Sequence, residues 1–156
     1  MGERTPHLDP DCRGVFFGLS AIHTQDDMLR AVMEGVGYSL TDCQDILRDM
    51  GIVVQEMMAC GGGGRSQLWR QMLADMYNCE VKTVSSKEGP ALGAAILAGV
   101  GAGLFKSVVT ACRDFIDTNT YCQPDPTAHA YYEKGHALYQ KLYRQLAGCY
   151  QDLATL

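Results

Sequence analysis

Basic charge is scarce in this chain. Its 156 residues include 13 Lys or Arg against 18 Asp or Glu, for a formal net charge of −5 and a pI near 5.2. No basic stripe runs along any segment, which removes the electrostatic footprint of a phosphate-backbone binder and excludes nucleic acid as a partner. Long apolar runs are missing too. Residues 90–105 carry no charge, but the stretch is shorter than the roughly 20 apolar residues a bilayer span needs. It reads as a buried helix, and no membrane partner is expected. The opening Met1-Gly2-Glu3-Arg4-Thr5-Pro6 lacks the apolar core of a signal peptide, so a cytoplasmic location is expected. No C-x-x-C pair occurs among Cys12, Cys43, Cys60, Cys79, Cys112, Cys122 and Cys149. Their odd number and wide spacing exclude a zinc framework or a disulfide scaffold, and buried free thiols in a reducing compartment are expected. Repeats, low-complexity tracts and clear linkers are absent. A composition of 47% hydrophobic and 20% charged residues fits one soluble globular unit.

What the chain does have is Gly61-Gly62-Gly63-Gly64-Arg65-Ser66. An apolar, strand-like segment from Ile52 to Cys60 precedes it, and a helical pattern from Gln67 to Tyr77 follows. Glycines let a ligand lie flat against the backbone and reach positive φ without strain. The helix N-terminus beyond them presents unpaired N–H groups and the positive end of the helix dipole. Yet Gly61-x-Gly63-x-x-Ser66 matches the dinucleotide fingerprint G-x-G-x-x-G poorly, and no acidic residue about 20 positions on closes a second strand. The Gly-Lys-Ser/Thr of a P-loop is missing as well. On these residues alone, a nucleotide seat and a tight strand-to-helix turn are equally supported.

Other elements follow from pattern. Residues 1–14 read as a loop and Val15 to Leu19 as a short strand or extended turn. Thr24-Gln25-Asp26-Asp27 resembles a capping box, opening a long helix whose apolar positions recur from Met28 to Leu47 and which Gly51 ends as a left-handed cap. Glu80 to Val84 reads as a second strand. Glu88-Gly89-Pro90 starts a helix with Pro in the first turn, made thin by Ala91, Gly93, Ala94, Ala95 and Ala98 for close packing. Ser107 caps a short helix to Phe115, and Tyr121 to Pro124 is a connector. Asp125-Pro126 opens a terminal helix with a stripe of Tyr132, Tyr139, Leu142, Leu146, Tyr150 and Leu153. The order predicts an α/β fold with a parallel strand pair. Two or three strands are few for a self-sufficient sheet, so either neighbouring strands come from elsewhere or the chain is a piece of a larger protein.

Four stretches, in order, carry a resemblance. They are Gly2-Glu3-Arg4-Thr5-Pro6-His7 with Asp9-Pro10 and Arg13-Gly14; Gly14-Val15-Phe16-Phe17-Gly18-Leu19 followed after seven residues by Asp27-Met28 and Ala31-Val32-Met33-Glu34; Gly61 to Asp75; and Glu88 to Ala95. Together they resemble the FGGY family of carbohydrate kinases, in its xylulose kinase branch. The resemblance implies the C-terminal portion of an actin-like ATPase, ribonuclease-H-like, helix-rich and with few strands. Residues 1–156 would form a single partial domain, the nucleotide-binding part of a two-domain sugar kinase. It implies ATP and Mg2+ as cofactors of the complete enzyme, ATP or ADP as partner, and a sugar, D-xylulose above others, bound through the missing N-terminal part. Gly62 and Gly63 would lie against the adenosine, Ser66 would hydrogen-bond near the base, and Gly61 and Gly64 would shape the loop. Gly64 stands where the family often has Ala, which is expected to loosen the loop. The catalytic aspartate and the phosphate-gripping hairpin fall outside these stretches, so no catalytic or metal-binding residue is assigned here, and the chain alone is expected to lack kinase activity. A non-catalytic module for nucleotide sensing or subunit pairing is the alternative, and the oligomeric state, a homodimer included, is left open.

The remaining polar groups suggest less. His7, Asp9 and Asp11 have metal-ligand types but sit in a proline-rich loop where turn hydrogen bonds are expected. Arg4 could orient an anion or fix its own loop by pairing with Glu3. His129 and His136 share a helix face with no acidic or thiol partner in register, and read as surface or satisfied core. Ser66 has no His-Asp set to make it a nucleophile and is expected to cap a helix.

Overall fold

A computed structural model describes residues 2–84 and 89–156. The expected helix start at Glu88 lies outside the described residues. The chain divides into two compact units, Met1–Val54 with Asp75–Asn78 and Pro124–Leu156, and Gln55–Ala74 with Cys79–Gln123.

The first unit is built on two long helices. α1 (Gln25–Asp49) starts at Thr24, whose Oγ1 accepts from the Asp27 amide while the Asp27 carboxylate accepts from the Thr24 amide. This is the capping box expected from sequence, and Asp serves in place of the usual Glu. Gly51 follows the helix end with φ +81°, a conformation that favours glycine. α6 (Pro126–Ala154) starts at Asp125, whose carboxylate accepts from the amides of Thr127 and Ala128. Tyr38 of α1 sits over Gly135 of α6, where a Cβ would lie 2.0 Å from the tyrosine hydroxyl. The same ring neighbours Tyr132, His136 and Tyr139. Residues 12–20 lead into α1 without forming a strand.

The second unit is a small mixed sheet in the order β1-β2-β3. β1 (Glu56–Met58) is shorter than the expected strand and pairs in parallel with β2 (Glu80–Val84). β3 (Thr118–Cys122) pairs antiparallel with β2, so the segment read as a connector from Tyr121 is partly strand. Its Thr-Asn-Thr-Tyr-Cys sequence offers no apolar alternation to announce it. α2 (Gly61–Gly64) and α3 (Gln67–Tyr77) follow β1, and α4 (Gly89–Gly101) and α5 (Val108–Phe115) follow β2. Ser107 caps α5 by accepting from the Thr110 amide. Met72, Leu73, Ala74, Val81, Ile96 and Ala111 are buried. α4 is less enclosed than its small residues suggested, since Ala94, Ala95 and Ala98 are exposed. Among the cysteines only Cys79 and Cys122 are buried, and Cys60 and Cys149 are exposed, which corrects the expectation of uniformly buried thiols. Among the described residues, no helix is long and apolar enough to cross a membrane.

Candidate functional site

The glycine run is one turn of helix, not an open loop. β1 ends at Met58, and the Ala59 amide still donates to Lys82 O at 2.8 Å, extending the ladder toward the turn. Cys60 takes an extended conformation before the turn and contributes no side-chain cap. The turn closes through Arg65 N to Gly62 O at 3.2 Å and Ser66 N to Gly63 O at 3.0 Å. A residue with a side chain gains helical stability over Gly, so four glycines in a helical turn need a spatial reason.

The four positions are not equivalent. Gly61 has φ +72°, and nothing lies within 4 Å of where its Cβ would be. Gly62 faces open space likewise. A Cβ on Gly63 would lie 3.2 Å from Cδ1 and Nε1 of Trp69. Gly64 is buried, and its Cβ would fall 2.4 Å from Ala59 O, a backbone atom that cannot swing aside. The expectation that Gly64 loosens the turn is therefore replaced by a close approach that only glycine permits. Gly61, Gly62 and Gly63 are exposed, so the protein's own side chains leave the outer surface of the turn uncovered.

Ser66 lies immediately before α3. Its Oγ accepts from the Trp69 amide at 3.3 Å, and its carbonyl accepts from Arg70 N at 3.0 Å. The predicted cap is present, and the Ser66 side chain remains exposed. The pattern did not single out Arg70, which is 6% exposed and donates from Nη1 to Gly64 O at 2.7 Å. Its buried Nε has no partner among the described groups. The one available signal was its position four residues beyond Ser66, in a helix that also carries Gln67, Gln71 and Asp75.

A second polar group lies in the first unit. His136 Nε2 is 2.8 Å from Asp42 Oδ1, and Gln140 donates to the same oxygen at 2.7 Å. His136 Nδ1 stands 4.0 Å from Asp45. His129 contacts the Asp75 carbonyl at 2.8 Å and lies 3.8 Å from Glu133. Both histidines thus have acidic neighbours, which corrects the expectation of none in register, since Glu133 stands four residues from His129 on the same helix. The decisive one, Asp42, comes from α1, 94 residues away in sequence from His136, where helix register on α6 gives no sign of it. Burial would raise the Asp42 carboxyl, but hydrogen bonds from His136 and Gln140 outweigh it and hold its pKa below the ordinary 3.8. Asp42, Asp45 and His136 are the one group among the described residues with metal-ligand spacing. An imidazole-bearing set suits a transition metal better than Mg2+, which prefers oxygen ligands and retained waters, and Asp42 Oδ1 already serves His136 and Gln140. The set does not fit magnesium. Asp9 makes turn contacts as expected, accepting from the amides of Asp11 and Cys12. Its second oxygen accepts from Tyr143, on whose ring His7 stacks. Glu3 accepts from the His7 amide at 2.8 Å, so backbone bonding rather than a pair with Arg4 ties that loop.

Residues 1–102 match the model of the FGGY family of carbohydrate kinases, C-terminal domain. The chain belongs to the FGGY family. It is 40% identical over 155 residues to the xylulose kinase of Staphylococcus epidermidis, covering 99% of this chain and 31% of that protein. With the Escherichia coli xylulose kinase the figures are 41% over 146 residues, 93% and 30%. The crystal structure of ligand-bound xylulose kinase from Lactobacillus acidophilus superposes with a TM-score of 0.86 at 28% identity, over 96% of this chain and 30% of that one. The chain therefore spans about a third of the length of the curated relatives it matches. It is the C-terminal part of an FGGY carbohydrate kinase, similar to xylulose kinases, with the α/β, helix-rich arrangement of actin-like ATPases.

Proposed function

We propose that this chain is the nucleotide-binding part of an ATP-dependent kinase whose complete form transfers the γ-phosphate of ATP to a sugar hydroxyl, converting D-xylulose to D-xylulose 5-phosphate. Residues 1–156 act as one partial domain of a two-domain cytoplasmic enzyme. The nucleoside end of ATP or ADP rests on Gly61, Gly62 and Gly63, Gly64 fixes the turn from beneath, and Ser66 borders the base. The observation that carries this reading is the uncovered surface at Gly61 and Gly62, where nothing lies within 4 Å of a would-be Cβ at the mouth of α3. Kinship with the xylulose kinases supports the choice of sugar.

Phosphoryl transfer needs two aligned substrates and neutralised charge. The sugar and Mg2+ belong to parts of the complete enzyme that this chain does not supply, and the chain alone turns over no substrate. Titration with ADP tests the nucleotide seat. Gly62→Val is the informative variant, because Gly63→Val would also displace Trp69. Binding to the wild type and loss in Gly62→Val is the expected result. Equal affinity in both removes the assignment. A coupled assay with ATP and D-xylulose checks the expected inactivity.

A further inference from the structure

The ring of His136 is fixed through one nitrogen and presents the other. Its Nε2 lies 2.8 Å from Asp42 Oδ1, and Asp42 is buried. A carboxylate only accepts, so Nε2 carries the hydrogen and donates it. In the neutral ring Nδ1 then bears a lone pair. That nitrogen stands 4.0 Å from Asp45 Oδ2, too far for a hydrogen bond. The other Asp45 oxygen accepts from Arg48 at 2.8 Å. His136 and Asp45 both line an open pocket of about 370 Å³ that lies within the first unit, whereas Asp42 does not. Glu133 lines the same pocket. It precedes His136 by three residues on α6, which sets their Cβ atoms about 5–6 Å apart, and its side chain is 68% exposed and free to turn.

We infer that Asp45, Glu133 and His136 bind a divalent transition-metal ion of the zinc type, through His136 Nδ1 and the two carboxylates. The inference goes beyond the kinase reading and does not use it. A lone pair facing a carboxylate is repulsive until a cation comes between them. A tetrahedral ion with bonds of about 2.0–2.2 Å sets its ligands roughly 3.4 Å apart, so the partly exposed Asp45 side chain has only to turn slightly. Its pair with Arg48 is a surface contact, worth little against a metal bond. Glu133-x-x-His136 is the spacing by which one helix offers a carboxylate and an imidazole to the same ion, and Asp45 joins them from α1. Asp42 is the positioning residue, the carboxylate that orients a ligating imidazole through its other nitrogen. The bound ion ties α1 to α6. His129 offers a second imidazole in this pocket, with Nδ1 on the Asp75 carbonyl and Nε2 3.8 Å from Glu133. It lies seven residues from His136, roughly 10 Å along the helix, too far to share the ion.

The test is a titration of the metal-free chain with Zn2+, read by nitrogen NMR of the imidazole rings at a fixed neutral pH. Cys60→Ser and Cys149→Ser in the background remove the two exposed thiols, which compete for zinc. The chain has four histidines, so the loss of one set of signals in His136→Gln identifies His136. Zn2+ should shift its Nδ1 resonance and saturate at equimolar metal, while the same concentration of Mg2+ leaves it unmoved. Asp45→Asn and Glu133→Gln should each weaken binding about tenfold or more. Asp49→Asn, exposed on α1 and outside the pocket, should bind as the wild type does. Glu133→Gln changes an exposed side chain, so it keeps the test decisive should Asp45→Asn fail to fold. A His136 Nδ1 that Zn2+ does not move means that a proton alone answers Asp45, and overturns the inference. Unchanged affinity in Asp45→Asn and Glu133→Gln overturns it too, as does a shift at His129 in place of His136 or an equal response to Mg2+. No readout involves ADP, so failure here and failure of the nucleotide assignment are separable.

Discussion

Arg70 Nη1 donates to the Gly64 carbonyl at 2.7 Å, tying the first turns of α3 back to the end of the glycine turn. Both residues are buried. The bond gives the buried Gly64 carbonyl a charged donor and holds the turn in register with the helix. Replacing Arg70 with Met should cost about 2 kcal/mol, the usual loss for a hydrogen bond to a charged group with one partner left unpaired. Urea unfolding gives the measurement. Arg70→Lys should recover part of the loss, since a point charge on a flexible stem can reach one carbonyl. A Met variant as stable as the wild type would show the contact to be incidental.

Gly62 and Gly64 should respond to alanine with opposite signs. At Gly64 the added methyl meets Ala59 O at 2.4 Å, and backbone must move; the expected loss is about 1–3 kcal/mol. At Gly62 the methyl enters open space and φ is not positive. Alanine there should stabilise by about 0.5 kcal/mol through the unfolded chain. Thermal melts of the two variants, run side by side, decide between this account and one in which all the glycines are interchangeable.

Local chemistry was legible in the sequence where one segment determines its own structure. Thr24-x-x-Asp27, Asp125-Pro126, Ser107 and Gly51 set helix ends through bonds within a few residues, and each stands where it was expected. β2 was legible for the same reason, with matching bounds. What failed depended on distant partners. β3 forms because β2 offers it an edge, with Val81 opposite Cys122, and no alternation in Thr118–Cys122 reveals this. Asp42 and His136 meet only once α1 and α6 pack. The glycine run was legible as a special backbone, but not as four positions with four environments, because those depend on Trp69 and Ala59 in space.

Gly135 occupies the interior of the 29-residue helix α6, where propensity alone favours Ala by about 1 kcal/mol. The structure reverses that preference. A Cβ would lie 2.0 Å from the Tyr38 hydroxyl and 2.8 Å from its ring, and the ring has aromatic neighbours at Tyr132, His136 and Tyr139. Gly135→Ala should therefore destabilise by about 1–3 kcal/mol, the range for overpacking. Gly135→Ala combined with Tyr38→Ala should lose much of that coupling, which a double-mutant cycle in urea would read as non-additivity.

Asp42 links α1 to α6 through His136 and Gln140, and its folded carboxyl titrates below the ordinary 3.8. On acidification the unfolded chain takes up this proton first, so the contribution is complete above the unfolded value and drains as pH falls through the lower folded value. Asp42→Asn should cost about 2 kcal/mol near neutrality, the scale of a charge-assisted hydrogen bond. The gap between wild type and variant should then narrow below pH 4, because the wild type loses there what the variant never had. Urea midpoints measured from pH 7 down to the onset of acid unfolding supply the test. A gap that stays constant would mean the carboxylate charge contributes nothing, and that Asp42 acts through its shape alone.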